Sequence, residues 1–336
     1  MMSKNILITG AAGFLGSHLA LHHLKLGHRV LGIDNYSSST ENSRHVKLIH
    51  ELYGPEKFKI YKADIRDPHA MDVASMSFLN YANEDFEVIY NFACPASPPI
   101  YQNIPIDTLL TCTLGTANVL AFAKKHASIV VHASTSEVYG DPQVSPQSEG
   151  YRGHVNSYGP RACYDEGKRA AEALCYDYWD QFDLDVRVVR IFNTYGPHMC
   201  ARDGRVVSNF ITQALRGDSL TIYGDGTQTR SFCYVDDLIS AITKMASLKK
   251  NPETPINIGN PHEFTMIDLA KNVLRCLGKQ TRSQMINMPL PIDDPLQRKP
   301  DISLARQILN WEPQISLEEG IIKTIDWFQG EIGFSS

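Results

Sequence analysis

Short apolar runs alternate along the first part of the chain with stretches whose apolar residues recur at helical spacing. Residues 5–9, 29–34, 58–64, 86–92, 129–133 and 185–191 are each short enough to be strands. Most are rich in Val and Ile, and their apolar positions are near-continuous rather than alternating, as in parallel strands buried on both faces. Helices are predicted over 14–26, with Gly27 as the stop, and over 109–125 and 164–182. Such alternation predicts an α/β fold with a doubly wound parallel sheet. After Asn193 the character changes: loops with Pro, Gly and Arg alternate with predicted helices over 207–216, 234–248, 266–277 and 317–329. A smaller, interleaved second domain closing over the C-terminal edge of the sheet is expected. The first domain is placed at 1–192 and 231–258, the second at 193–230 and 259–336.

The first predicted strand ends in Gly10-Ala-Ala-Gly13-Phe14-Leu15-Gly16, and a helix follows at once. Glycines in this setting allow a tight turn, close approach of backbone to a pyrophosphate, and close helix–strand packing, the device of a Rossmann sheet. The second strand ends in Asp34-Asn35, with Asp34 lying 18 residues past Gly16. A carboxylate there accepts hydrogen bonds from ribose hydroxyls and repels a 2′-phosphate, and no Arg occurs in 35–41, so NAD is expected over NADP. Asp64 and Ile65, at the end of the third strand, are expected to border the adenine.

Composition narrows the class. Among 336 residues, 32 Lys and Arg stand against 37 Asp and Glu, a net charge of −5, which argues against a nucleic-acid partner. Cys94, Cys112, Cys163, Cys175, Cys200, Cys233 and Cys276 form no Cys-x-x-Cys pair and are odd in number; they are expected to be small core thiols in a reducing compartment. The start, Met-Met-Ser-Lys-Asn, does not read as a signal peptide, and no apolar run approaches the ~20 residues of a membrane span. A soluble cytoplasmic protein without a membrane partner is expected. His18 and His22 are spaced i,i+4 but lack the accompanying Glu of a zinc motif, so no metal site is expected.

Tyr164 and Lys168 lie one turn apart on a predicted helix, on one face. An ammonium beside a phenol favours the phenolate, which suits a base that removes a hydroxyl proton while hydride leaves the carbon. Ser134-Thr135-Ser136-Glu137-Val-Tyr139-Gly precedes them at a strand's C-terminal end, the edge at which open α/β sheets bind ligands.

Together these residues resemble the extended short-chain dehydrogenase/reductase family, which includes nucleotide-sugar epimerases, dehydratases and decarboxylases. The resemblance implies that Thr135 bonds the sugar hydroxyl or ketone, that Tyr164 is the base, and that Lys168 tunes it and holds the nicotinamide ribose. The 4,6-dehydratase branch carries Thr-Asp-Glu where this chain has Thr135-Ser136-Glu137, and serine is a poor acid for expelling a hydroxyl. Decarboxylation needs no such acid: oxidising C4 of a glucuronosyl unit puts a ketone β to the carboxylate, and carbon dioxide can leave to an enolate held by Thr135 and Tyr164. Segments 91–99, 160–168, 203–210, 298–301 and 310–313 resemble the UDP-glucuronate decarboxylase branch. That resemblance implies a UDP-sugar substrate, with Pro95, Tyr101, Asn193, Arg205 and Arg230 in its site and Arg298 near the sugar carboxylate. It also implies a homodimer formed by the 109–125 and 164–182 helices. A basic cleft inside an acidic envelope is expected. Ile100, Thr111-Cys112-Thr113 and His198 depart from that branch's usual His, Thr-Asn-Thr and Arg. A 4-epimerase, a 4,6-dehydratase and an NAD-sensing module without turnover are the alternatives.

Overall fold

The computed structural model describes residues 3–41, 43–79, 85–278, 284–289 and 297–332; the first two residues of the expected non-leader start lie outside them. Strands β1 (Asn5–Thr9), β2 (Arg29–Asp34), β3 (Phe58–Lys62), β4 (Val88–Asn91), β5 (Ile129–Thr135) and β6 (Val186–Ile191) follow the apolar runs closely. Asp64 therefore lies just beyond the third strand rather than within it. The remaining strands are β7 (Thr194–Tyr195), β8 (Leu220–Tyr223), β9 (Thr229–Ser231), β10 (Cys233–Tyr234), β11 (Ile256–Ile258), β12 (Glu263–Thr265), β13 (Met285–Met288) and β14 (Gln297–Arg298). Helices are α1 (Phe14–Lys25), α2 (Arg44–Tyr53), α3 (Ala70–Met76), α4 (Pro98–Tyr101), α5 (Pro105–Leu110), α6 (Thr116–His126), α7 (Ala162–Phe182), α8 (Val206–Arg216), α9 (Val235–Ala246), α10 (Met266–Leu277), α11 (Ser303–Leu309) and α12 (Leu317–Ile332).

The central sheet runs β11-β6-β5-β4-β1-β2-β3, and every adjacent pair in it is parallel. Its strand order reverses between β1 and β4, the switch point at which such sheets open a crevice at their carboxyl ends. Alternate residues feed two cores: Ile6 and Ile8 enter the layer that includes α1 and α9, whereas Leu7 enters the layer with α3 and α6. Burial on both faces accounts for the near-continuous apolar runs. Three small sheets, β7–β10, β12–β9–β14 and β8–β13, come from the later part of the chain.

Two expectations are corrected here. Pro105–His126 forms a helix that is, by length and composition, apolar enough to cross a membrane, although its apolar window is 50% buried within this fold. Its Thr and Asn residues interrupt the run in the sequence, which concealed it. A π turn at Thr111–Gly115 joins α5 to α6, and the Thr111 and Thr113 hydroxyls donate back to the Asp107 and Leu109 carbonyls at 2.7 and 2.8 Å. The cysteines are also less uniformly core residues than expected: Cys112, Cys175 and Cys233 are buried, Cys200 is exposed, and the rest are intermediate.

Candidate active site

A cavity of about 770 Å³ runs along the carboxyl edge of the sheet and is closed from the far side by residues of the later segments. Its floor is the glycine turn. Gly10 has φ +72°, and a Cβ there would lie 2.8 Å from the Phe92 carbonyl oxygen. A Cβ on Gly16 would come within 2.1 Å of the Gly10 oxygen, so α1 could not pack so close to β1. Gly13 caps α1 and leaves its N-terminus, with Phe14 and Leu15, facing the cavity. Unpaired amides and the helix dipole at that end suit a phosphate.

Asp34, at the tip of β2, lines the cavity and is buried. One carboxylate oxygen accepts from the Ala12 amide at 2.9 Å, and the other from the Tyr36 amide and the Ser39 hydroxyl at 2.8 and 3.0 Å. The carboxylate therefore ties the glycine turn to the loop after β2, besides facing the cavity. Asn35 donates to Asp64 at 2.9 Å, and Arg66 grips the same carboxylate, at 2.7 Å at its closest. Burial pushes Asp64 up, but the Arg66 bonds outweigh it and hold the carboxyl at about 2. Ile65 is buried against Gly115, whose missing Cβ makes room for it.

Deeper in the cavity, Tyr164 hydrogen-bonds Thr135, and its ring stacks on Tyr101 at 4.9 Å and 6°. The Tyr101 hydroxyl is buried without a partner. The sequence-based idea that Lys168 lowers the Tyr164 pKa does not hold in this unliganded arrangement. Burial raises Tyr164 well above its ordinary value, and Lys168 donates instead to the Ala133 carbonyl at 2.7 Å, its Nζ 5.9 Å from the phenol ring centroid. Full burial favours the neutral phenol, and one ammonium engaged elsewhere does not offset that.

A charged cage adjoins the phenol. Arg298, only 1% exposed, donates from Nη1 to the Ser136 hydroxyl at 2.9 Å and to Glu137 at 2.6 Å. Its Nη2 reaches Glu137 at 3.3 Å and the Gly140 carbonyl at 3.0 Å, while its Nε is buried without a partner. Arg161 approaches Glu137 from α7's start at 2.5 Å. Burial raises the Glu137 pKa, yet the charges of Arg298 and Arg161 outweigh it and hold the carboxyl well below the usual range. Asp165, one turn from Arg161 at 3.8 Å, is pushed up to about 8, by burial first and by the Glu137 charge second.

Arg205 lines the cavity with its guanidinium gripped by Asp203, at 2.7 Å through Nη2. Arg230 sits on β9 in register with Arg298 on β14, and donates to the Thr229 carbonyl at 2.9 Å. Asn193, Pro95 and Tyr101 also line the cavity, as do the departures Ile100 and His198. The expected basic cleft is thus tempered, since Arg205 and Arg298 each carry a carboxylate partner. The residues expected from the sequence to serve catalysis, NAD or substrate all line this one cavity. Arg161 and Asp165 were missed, although Arg161 lies one turn before Tyr164 in a motif already quoted. Among the described residues no group of three or more His, Cys, Asp or Glu is placed to hold a metal.

A dinucleotide turn on an open parallel sheet, with a Tyr-x-x-x-Lys turn at its carboxyl edge, defines an extended short-chain dehydrogenase/reductase. A family model described as GDP-mannose 4,6 dehydratase matches residues 7–324, and the chain belongs to that family. It is 46% identical over 329 residues to UDP-glucuronic acid decarboxylase 1 of Xenopus tropicalis, covering 98% of this chain and 73% of the relative. UDP-glucuronic acid decarboxylase 6 of Arabidopsis thaliana is 45% identical, covering 95% and 87%. Among solved structures, a UDP-glucuronic acid 4-epimerase from Bacillus cereus in complex with UDP-glucuronic acid and NAD is 27% identical, with a TM-score of 0.83 and coverage of 97% and 99%. A dTDP-glucose 4,6-dehydratase from Bacillus anthracis in complex with NAD is 26% identical, with a TM-score of 0.81 and coverage of 99% and 98%.

Proposed function

We propose that this chain is an NAD-dependent carboxy-lyase that converts UDP-glucuronate to UDP-xylose through a 4-keto sugar. The observation that carries the reading is the Ser136–Glu137–Arg298 cage beside Thr135 and Tyr164, in a chain 46% identical to a UDP-glucuronic acid decarboxylase. The cradle fits NAD: Gly13 leaves the α1 N-terminus open, and Asp34 faces the cavity with no Arg in residues 35–41. Gly10, Gly13, Phe14, Leu15, Gly16, Asp34, Asn35, Asp64 and Ile65 would hold it, with Tyr164 and Lys168 at the nicotinamide end. When bound, NAD supplies positive charge and the reversible two-electron oxidation of the C4 alcohol.

The protein's residues do the rest. Once the positive charge of bound NAD offsets the burial that keeps its phenol neutral, Tyr164 would take the C4 hydroxyl proton while Thr135 orients that oxygen. The carboxylate of the β-keto sugar then lies near Arg298, whose charge is already matched by Glu137. A bare guanidinium would hold the substrate carboxylate in the ground state and oppose its loss as neutral carbon dioxide. With Glu137 in place, that hold is weakened, while the Thr135 and Tyr164 donors stabilise the enolate that forms. Ser136, engaged with Arg298, has no acid role. Residues 1–192 and 231–258 serve NAD in this reading, and 193–230 and 259–336 the UDP-sugar, with Pro95, Tyr101, Asn193, Arg205 and Arg230 around it. Incubation with UDP-glucuronate and no added NADH should release carbon dioxide, and mass spectrometry should find a product without the carboxylate. A product of unchanged mass would instead mark a 4-epimerase.

The partner in this reading is a second copy of the chain, in the cytoplasm. Ile106 is 74% exposed and Leu109, Leu110 and Leu114 are exposed beside it on the helix that packs against α7. Contiguous apolar exposure of this kind marks an interface. Light scattering should return roughly twice 37.6 kDa; a mass near 37.6 kDa at micromolar concentration would contradict the dimer.

A further inference from the structure

Two thiols meet behind the catalytic turn. Cys94, in the loop after β4, lines the cavity beside Pro95, and its Sγ lies 3.2 Å from the Sγ of Cys112 on the π turn. Cys112 is 2% exposed and packs against α7 at Gly167, between Tyr164 and Lys168: a Cβ on that glycine would lie 3.0 Å from the Cys112 Cβ and 3.2 Å from its Sγ. The pair is therefore wedged between the loop that carries Pro95 and the turn that carries both catalytic side chains. Cys112 is also one of the positions at which this chain departs from the decarboxylase pattern.

We propose that Cys94 and Cys112 form an oxidisable dithiol site whose reactant is a small peroxide entering through the cavity. The two thiols give up two electrons and two protons to hydrogen peroxide; the S–S bond forms, the O–O bond breaks, and two waters leave. Cys94 opens the route from the cavity, and Cys112 is the better thiolate, because the Cys94 hydrogen bond and the Lys168 charge lower it. Bond formation needs the sulfurs to close from 3.2 Å to about 2.05 Å, a shift of roughly 1 Å. That movement is taken up by the Pro95 loop and by the π turn under Tyr164. A displacement of about 1 Å at a reacting centre costs about 100-fold in rate.

The inference rests on the decarboxylase reading only for its activity readout. No Lys or Arg lies between residues 67 and 123, so trypsin leaves both cysteines, and no other, on the peptide 67–124. After peroxide treatment of the full-length protein and alkylation, that peptide should lack both tags and two hydrogens. Turnover of UDP-glucuronate should fall about 100-fold and return with dithiothreitol. Cys112→Ser should turn over normally and resist peroxide. Both tags remaining on the treated wild-type peptide, or equal inhibition of Cys112→Ser, would overturn the site. If the reduced protein does not turn over UDP-glucuronate at all, the functional reading fails, and the peptide mass still decides the thiol site.

Discussion

Tyr164→Phe should lower kcat for UDP-glucuronate about 1,000-fold, within the 10²–10⁴ expected when a positioned acid–base group is removed. The ring stays, so the stack on Tyr101 at 4.9 Å is kept, and the fold should remain intact. What is lost is the one hydroxyl that bonds Thr135 and handles the C4 proton. KM for UDP-glucuronate and NAD affinity should change far less than kcat, because most of the residues that would hold each ligand are untouched. Steady-state kinetics alongside an NAD titration separates the two effects. Retention of more than about a tenth of wild-type kcat would remove Tyr164 from the chemistry.

The second large effect concerns stability. Arg298→Met removes one of the two guanidiniums on Glu137 and leaves the Ser136 hydroxyl and the Gly140 carbonyl without their donor. Arg161 still pairs with Glu137, so the loss should fall at the low end of the about 3–5 kcal/mol for breaking a buried charge pair from one side. Urea unfolding at neutral pH should show that loss. The double variant Arg298→Met, Glu137→Gln should be no more stable, since Arg161 then loses the carboxylate that it donates to. The sign with pH follows from Glu137, whose folded pKa lies below its unfolded value of 4.5. Its pairing contributes fully above 4.5 and is lost as pH falls toward about 2, so the deficit of the single variant should narrow on acidification. An Arg298→Met protein as stable as wild type at neutral pH would show that the cage does not hold the fold.

Much of the site was legible because its signals are local. The glycine turn, Asp34 at the tip of β2 and the Tyr164–Lys168 spacing each depend on neighbours within a strand or one helical turn. The Glu137–Arg298 contact spans 161 positions, and only folding β14 onto β9 brings it together. Resemblance placed Arg298 near the sugar carboxylate, but that four of its contacts go to Ser136, Glu137 and Gly140 could not be read from spacing. The three-residue β11 and the seven-residue α3 were missed because they are short, and α2 because Arg, Lys, Glu and two His dilute its apolar positions. Lys168 illustrates the limit from the other side. Its position on the Tyr164 face follows from sequence, whereas its bond to the Ala133 carbonyl depends on how β5 packs under α7.

The proposed reaction is a closed cycle: oxidation at C4, loss of carbon dioxide, protonation at C5, and reduction at C4. Turnover of UDP-glucuronate in heavy water, with catalytic NAD and no added NADH, followed by proton NMR and mass spectrometry, reads all of it at once. The expected product is UDP-xylose carrying a single deuterium at C5, with no net NADH. A nucleotide sugar that keeps its carboxylate, or a 4-keto product with matching NADH accumulation, would contradict it.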